Sequence, residues 1–153
     1  MKNRTRLWLD AGLFAGMLLA FSPGITGISI HEWLSLAIVV PTLVHLIVNW
    51  DWVTRVTARI LGRIRTVSKV NLALDAALFV ATVTVMLSGM LVSQAISSAF
   101  GLSVSADAIW YAVHSASARI TIALLLAHLA LHAGWVVRTA RSLVPAPQTE
   151  VIS

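Results

Sequence analysis

Four long apolar runs dominate this chain of 153 residues, at about 7–28, 31–53, 72–96 and 109–137. Each is long enough to cross about 30 Å of hydrocarbon as a helix rising 1.5 Å per residue. Hydrophobic residues make up 58% of the chain and charged ones 11%, less than half the share expected of a soluble domain. The sequence therefore predicts an all-α integral membrane protein, with lipid as the partner of most of its surface. One four-helix domain is expected over 1–145, with a short tail over 146–153. The first run resembles a signal peptide, but Asp10 near its start and the lack of a small-residue exit argue against cleavage.

Charge placement orients the runs. Lys2, Arg4 and Arg6 precede the first run, Arg55, Arg59, Arg63, Arg65 and Lys69 lie between the second and third, and Arg138 and Arg141 follow the fourth. The segments 21–30 and 93–108 hold no lysine or arginine. The positive-inside rule then puts both termini and the middle loop in the cytoplasm. Trp33 and Trp110 fall at the outer boundary, and Trp8, Trp50, Trp52 and Trp135 at the inner one, as aromatic belts require. The net charge of +5 is spread between apolar runs rather than gathered on one face, which argues against a nucleic-acid partner.

The two halves of the chain resemble each other. Leu9-Asp10-Ala11 matches Leu74-Asp75-Ala76, and Gly24 and Gly89 follow these aspartates at the same offset. His31 matches His114, His45 matches His128, Trp52-Val53 matches Trp135-Val136, and Arg55 matches Arg138. The expected architecture is an antiparallel four-helix bundle built from two parallel two-helix repeats. The longer outer connection of the second half, about 97–108, is expected to form a short surface helix using Ala106, Ile109 and Val113.

Histidine spacing carries the functional signal. His31 and His45 are 14 residues apart, as are His114 and His128. Fourteen residues at about 100° each return to within roughly 40° of the starting face after a rise of about 21 Å. On two helices running the same way, His31 lies level with His114, and His45 with His128. Two neutral imidazoles facing across a bundle core can ligate a haem iron from both sides. Histidines within a bilayer are costly and mark function. The rival reading is a haem-free membrane protein, either a metal-ion transporter or an assembly subunit; a transporter would want carboxylates beside the histidines at one depth, and only Glu32 is expected to be close. The absence of cysteine excludes disulfides, thiolate catalysis, iron–sulfur clusters and thioether-attached haem.

The stretch His31-Glu32-Trp33, then His45, Asn49-Trp50 and Trp52-Val53, with His114 and His128-Leu129-x-x-His132 in the second half, resembles the four-helix bacterial membrane cytochromes called flavinylation-associated cytochromes. The spacing is also similar to that of cytochrome b of the respiratory bc complex. The resemblance implies two non-covalent b-type haems, one on His31 and His114 and the other on His45 and His128. It also implies electron transfer with a redox partner, such as a flavoprotein, or with a quinone. Such a chain is a subunit of an oxidoreductase rather than an enzyme on its own. Asn49 stands where His132 stands in the other half.

Other residues carry open alternatives. His132 can replace His128 as a ligand, bind a haem propionate or face the headgroups. Arg119, the one cation inside an apolar run, can meet a propionate, snorkel or pair with a neighbouring subunit; it lies about 140° round the helix from His114. Asp10 and Asp75 can interact with helix N-termini and nearby arginines, or exchange protons with a quinone, as Glu32 can at the other face. Gly12 with Gly16, and Ala77 with Ala81, suit close helix packing or clearance for a porphyrin. Pro41 is expected to kink the second helix. Arg55, Arg59 and Arg63, one turn apart, suit an anionic lipid surface or a docking partner. No nucleophile paired with a base, phosphate loop or dinucleotide fingerprint is present.

Overall fold

A computed structural model describes residues 3–51, 53–54, 66–101 and 107–143. Those residues form helices and turns, with no strand among them. The helices are α1 (Asn3–Ala20), α2 (Pro23–Thr26), α3 (Ile28–Val48), α4 (Thr66–Val92), α5 (Gln94–Ala99) and α6 (Ala108–Arg141). Lys2, Trp52, most of the basic middle loop (Arg55, Arg59, Arg63, Arg65), Ala106 and the tail 146–153 lie outside the described residues.

The breaks have local causes. Pro23 disfavours a helical Ser22, which takes φ −118° and ψ 52°. So α1 stops at Ala20, and the Ser22 hydroxyl donates to the Leu18 carbonyl at 2.9 Å. Gly27, at φ +85°, then allows the turn from α2 into α3. In the second half, Ser93 takes an extended conformation, and its hydroxyl accepts from the Ile96 amide at 3.1 Å. This N-cap starts α5 and ends the run through α4. The short outer helix is thus Gln94–Ala99, earlier than the sequence suggests, while Ile109 and Val113 belong to α6. α3 continues through Pro41 as one helix.

Among the described residues, three helices are long and apolar enough to cross a membrane: Ile28–Val48, Lys69–Val92 and Ala108–Arg141. α1 has 18 residues and carries Arg4, Arg6 and Asp10 within them, so its apolar stretch is shorter than the first run implies. Burial is inverted relative to a soluble fold. The most buried side chains are small and polar, including Ser88, Ser93, Ser117 and Thr121. Large apolar side chains such as Val40, Leu43, Ile47, Val80, Leu87 and Ile120 are exposed. A surface of this kind suits lipid, and small polar residues at the seams let helix backbones approach closely.

α4 packs along α6, and α1 along α3. Contacts between these two hairpins are much sparser. On the densest seam, α4 buries Ala81, Thr82 and Ser88, and α6 buries Ser117, Thr121 and Thr139. Ala81 of the expected small-residue stripe is buried there, whereas Ala77 is exposed. Gly16 lies against Ile38 of α3, with space for only a tight Cβ at 3.2 Å, and Gly12 faces open space. The Arg6 guanidinium donates to the Val48 carbonyl at 3.3 Å and ties the start of α1 to the end of α3.

Candidate functional site

The end of α1 leaves the Ala20 carbonyl without a helical successor to bond it. The His31 ring, from the following hairpin arm, fills that role: its Nδ1 lies 2.6 Å from the Ala20 oxygen. A carbonyl only accepts, so the Nδ1–H donates, and the neutral ring keeps its lone pair on Nε2. On the other hairpin, His114 Nδ1 lies 3.1 Å from the Val85 carbonyl and 3.3 Å from the Ser88 hydroxyl. That hydroxyl donates to the Thr84 carbonyl at 2.6 Å, so its oxygen accepts from the imidazole. Again Nε2 is left with the lone pair.

Gly89 makes this approach possible. A Cβ there would meet His114 Cε1 at 3.0 Å and Nδ1 at 3.4 Å. Its expected counterpart, Gly24, lies in the α2 turn with open space around it, so the two halves diverge at this end. Replacing Gly89 with alanine is expected to lower stability by about 1–3 kcal/mol relative to Gly12→Ala, because the alpha-carbon position is overpacked against the ring. Both changes gain the same helix propensity, so the difference isolates the contact. Unfolding of both variants in detergent checks it.

His31 and His114 come together from the two hairpins, with ring centroids 6.0 Å apart and planes crossed at 72°. They line a largely apolar cavity of about 740 Å³, whose walls include Ile38, Met86, Gly89 and Met90. This volume lies within the usual range for bound small molecules, about 300–1,000 Å³. Glu32 lies on the same cavity and accepts from the Gln94 amide at 3.1 Å, joining α3 to the start of α5.

Some 14 residues further along each helix, the partner changes from a carbonyl to a carboxylate. His45 Nδ1 lies 2.7 Å from Asp10 Oδ1, and His128 Nδ1 lies 2.7 Å from Asp75 Oδ1. Neither aspartate forms an ion pair with arginine among the described residues, so the expectation of an arginine partner is replaced by histidine, and Glu32 is not the one carboxylate close to a histidine, because helix packing brings Asp10 and Asp75 beside two others. His45 and His128 make no ring contact with each other among those residues. His132 stacks near His128, with centroids 4.5 Å apart and planes tilted by 47°. Asp75, His128 and His132 present ligand atoms within 4.8 Å of one another. Asn49, in the place of His132, donates to the His45 carbonyl of its own helix at 2.8 Å. Arg119 is exposed on α6 and has no ion pair among the described residues.

In all four spaced histidines Nδ1 therefore lies against a fixed acceptor, and a neutral ring so held keeps its Nε2 lone pair for a metal. This is the arrangement of metal-bound histidines, whose outer nitrogen is anchored by a carbonyl or carboxylate. An imidazole nitrogen sits about 2.0 Å from a bound metal and about 1.2 Å from its own ring centroid, so rings on opposite sides of one metal have centroids roughly 6.4 Å apart. The His31–His114 separation fits that requirement, and a large apolar cavity adjoins it. Sequence spacing singled out the four histidines. It missed the carbonyls of Ala20 and Val85, because backbone acceptors leave no signature. It also missed the aspartate pairing, which the shared offset of Asp10 and Asp75 could have revealed.

In comparisons with family models, curated proteins and solved structures, nothing matches this chain.

Proposed function

We propose that this protein is a dihaem b-type membrane cytochrome that carries electrons across the bilayer, between a redox partner such as a flavoprotein and a quinone or second partner. The observation that carries the reading is the approach of His31 and His114 to 6.0 Å, each with Nδ1 anchored and Nε2 free. His31 and His114 would hold one haem, and His45 and His128 the other. Haem supplies reversible one-electron chemistry when bound. The chain's own carbonyls would hold neutral imidazoles in the ligating tautomer, and the cavity beside them is largely apolar. Arg119 and His132 are the candidates for propionate contacts. The resemblance to flavinylation-associated cytochromes supports the same function, a four-span bundle and cytoplasmic termini in a bacterial inner membrane.

A haem-free metal protein is the second reading, favoured by the Asp75, His128 and His132 cluster. The Asp10–His45 pair has no third ligand of this kind among the described residues, so the cluster uses one half of the molecule alone. A reduced-minus-oxidised visible spectrum of the purified protein separates the two. A b-type α band is expected. Its absence, together with bound zinc or copper, would support the rival.

A further inference from the structure

His132 is the residue that breaks the repeat. Its counterpart in the first half, Asn49, donates to the His45 carbonyl of its own helix at 2.8 Å. His132 makes no hydrogen bond among the described residues, although it lies half-buried in a helix long and apolar enough to cross a membrane. An imidazole without a polar partner is costly in such a setting, and ionisable residues there mark function. What surrounds His132 is a set of ligands. His128 precedes it by four residues, which puts both rings on one face of α6, with centroids 4.5 Å apart. Asp75 of α4 lies 2.7 Å from His128 Nδ1, and these two side chains are only 21% and 28% exposed. One ligand atom from each of the three residues lies within 4.8 Å of the others. Tetrahedral ligands about 2.0–2.2 Å from an ion stand roughly 3.4 Å from one another, so small side-chain rotations close the set.

We propose that Asp75, His128 and His132 form a binding site for a divalent first-row transition ion of the zinc or iron(II) class. Two imidazoles and one carboxylate suit such ions, whereas magnesium and calcium take oxygen ligands. Three protein ligands leave a coordination position open for water or a further ligand. The first half carries no such set among the described residues: Asp10 and His45 pair at the same 2.7 Å, but Asn49 stands where the third donor would be. The site itself does not depend on haem. It meets the proposed haem binding at His128, which serves an ion or a haem but not both. On that reading, a chain with an ion in place holds haem at the level of His31 and His114 alone, and divalent metal governs how many chains carry the second haem.

The test is zinc content of the full-length protein in detergent after dialysis against micromolar zinc, with haem per chain measured on the same samples. His45→Ala removes the proposed haem partner of His128 and is expected to bind one zinc ion per chain. In that background, Asp75→Asn and His132→Asn, the second of which copies the first half, are each expected to weaken zinc binding at least about tenfold. Glu32→Gln, a carboxylate change beside the other histidine level, is expected to leave it unaltered. No zinc in the His45→Ala protein, or equal zinc with and without the Asp75 and His132 changes, overturns the site. A second measurement needs no change at His45. Zinc supplied to wild-type protein during haem loading is expected to lower haem from two per chain to one, and His132→Asn to abolish that effect. Two haems per chain whether or not zinc is supplied overturns the exclusion. A wild-type chain that takes up no haem in the absence of zinc overturns the functional reading instead, and the zinc content of the variants still decides the site.

Discussion

On the proposed dihaem reading, His114→Ala protein is expected to purify with one haem per chain, against two for the wild type. The expectation follows from the paired approach of the two rings: with Nε2 of His114 removed, His31 alone would be left to hold the iron. His31→Ala should lose the same haem. The double variant His31→Ala/His114→Ala should then lose no more than either single one, because both changes act on one site and their effects do not add. His31→Ala/His45→Ala, by contrast, strikes both levels and should lose both haems. Pyridine haemochrome analysis against protein concentration reads all four. Equal losses from every pair of substitutions would contradict the assignment of partners, since the 6.0 Å approach couples His31 to His114 and not to His45.

Ser88→Leu is expected to be the most damaging single change away from the histidines. Ser88 is 1% exposed on the α4–α6 seam, and its hydroxyl both donates to the Thr84 carbonyl and accepts from His114. A leucine there needs space that the seam lacks, at a cost of about 3 kcal/mol from overpacking, and it withdraws one acceptor from the His114 ring. The haem of His31 and His114 should be lost together with the stability. Leu87→Val is the control: Leu87 is 57% exposed, and a change there should move stability by about 0.5 kcal/mol or less. Thermal unfolding in detergent and haem content measure both effects. An unaltered melting transition and full haem content in the Ser88→Leu protein would show that the seam is looser than described.

The fold was legible where periodicity and composition decide it. Apolar length marked α3, α4 and α6, because a lipid-facing helix is written in its side chains. The first helix was less legible. Its apolar run continues past Ala20, but Pro23 and Gly27 break the backbone within it, and Asp10 sits in the middle of α1 rather than beside the helix N-terminus. The short outer helix was misplaced for a similar reason: the Ser93 cap outweighs the apolar continuity from Val92 to Ile96. At the site, the 14-residue spacing named the histidines, since helical geometry alone aligns them. What anchors them was not legible, because it depends on which carbonyls a helix end exposes and on where a glycine lets a ring approach. Asp10 and Asp75 illustrate the difference. Read alone, each is a carboxylate in the early part of a helix. Only the packing of α1 on α3 and of α4 on α6 turns them toward His45 and His128.

The central claim, that two histidine pairs grip two porphyrins within one helical membrane chain, is tested most directly by haem stoichiometry of the purified full-length protein. The account predicts two non-covalent haems per chain with low-spin, bis-imidazole spectra. A chain that folds in detergent, takes up no haem when it is supplied, and binds a divalent metal through Asp75, His128 and His132 would contradict it.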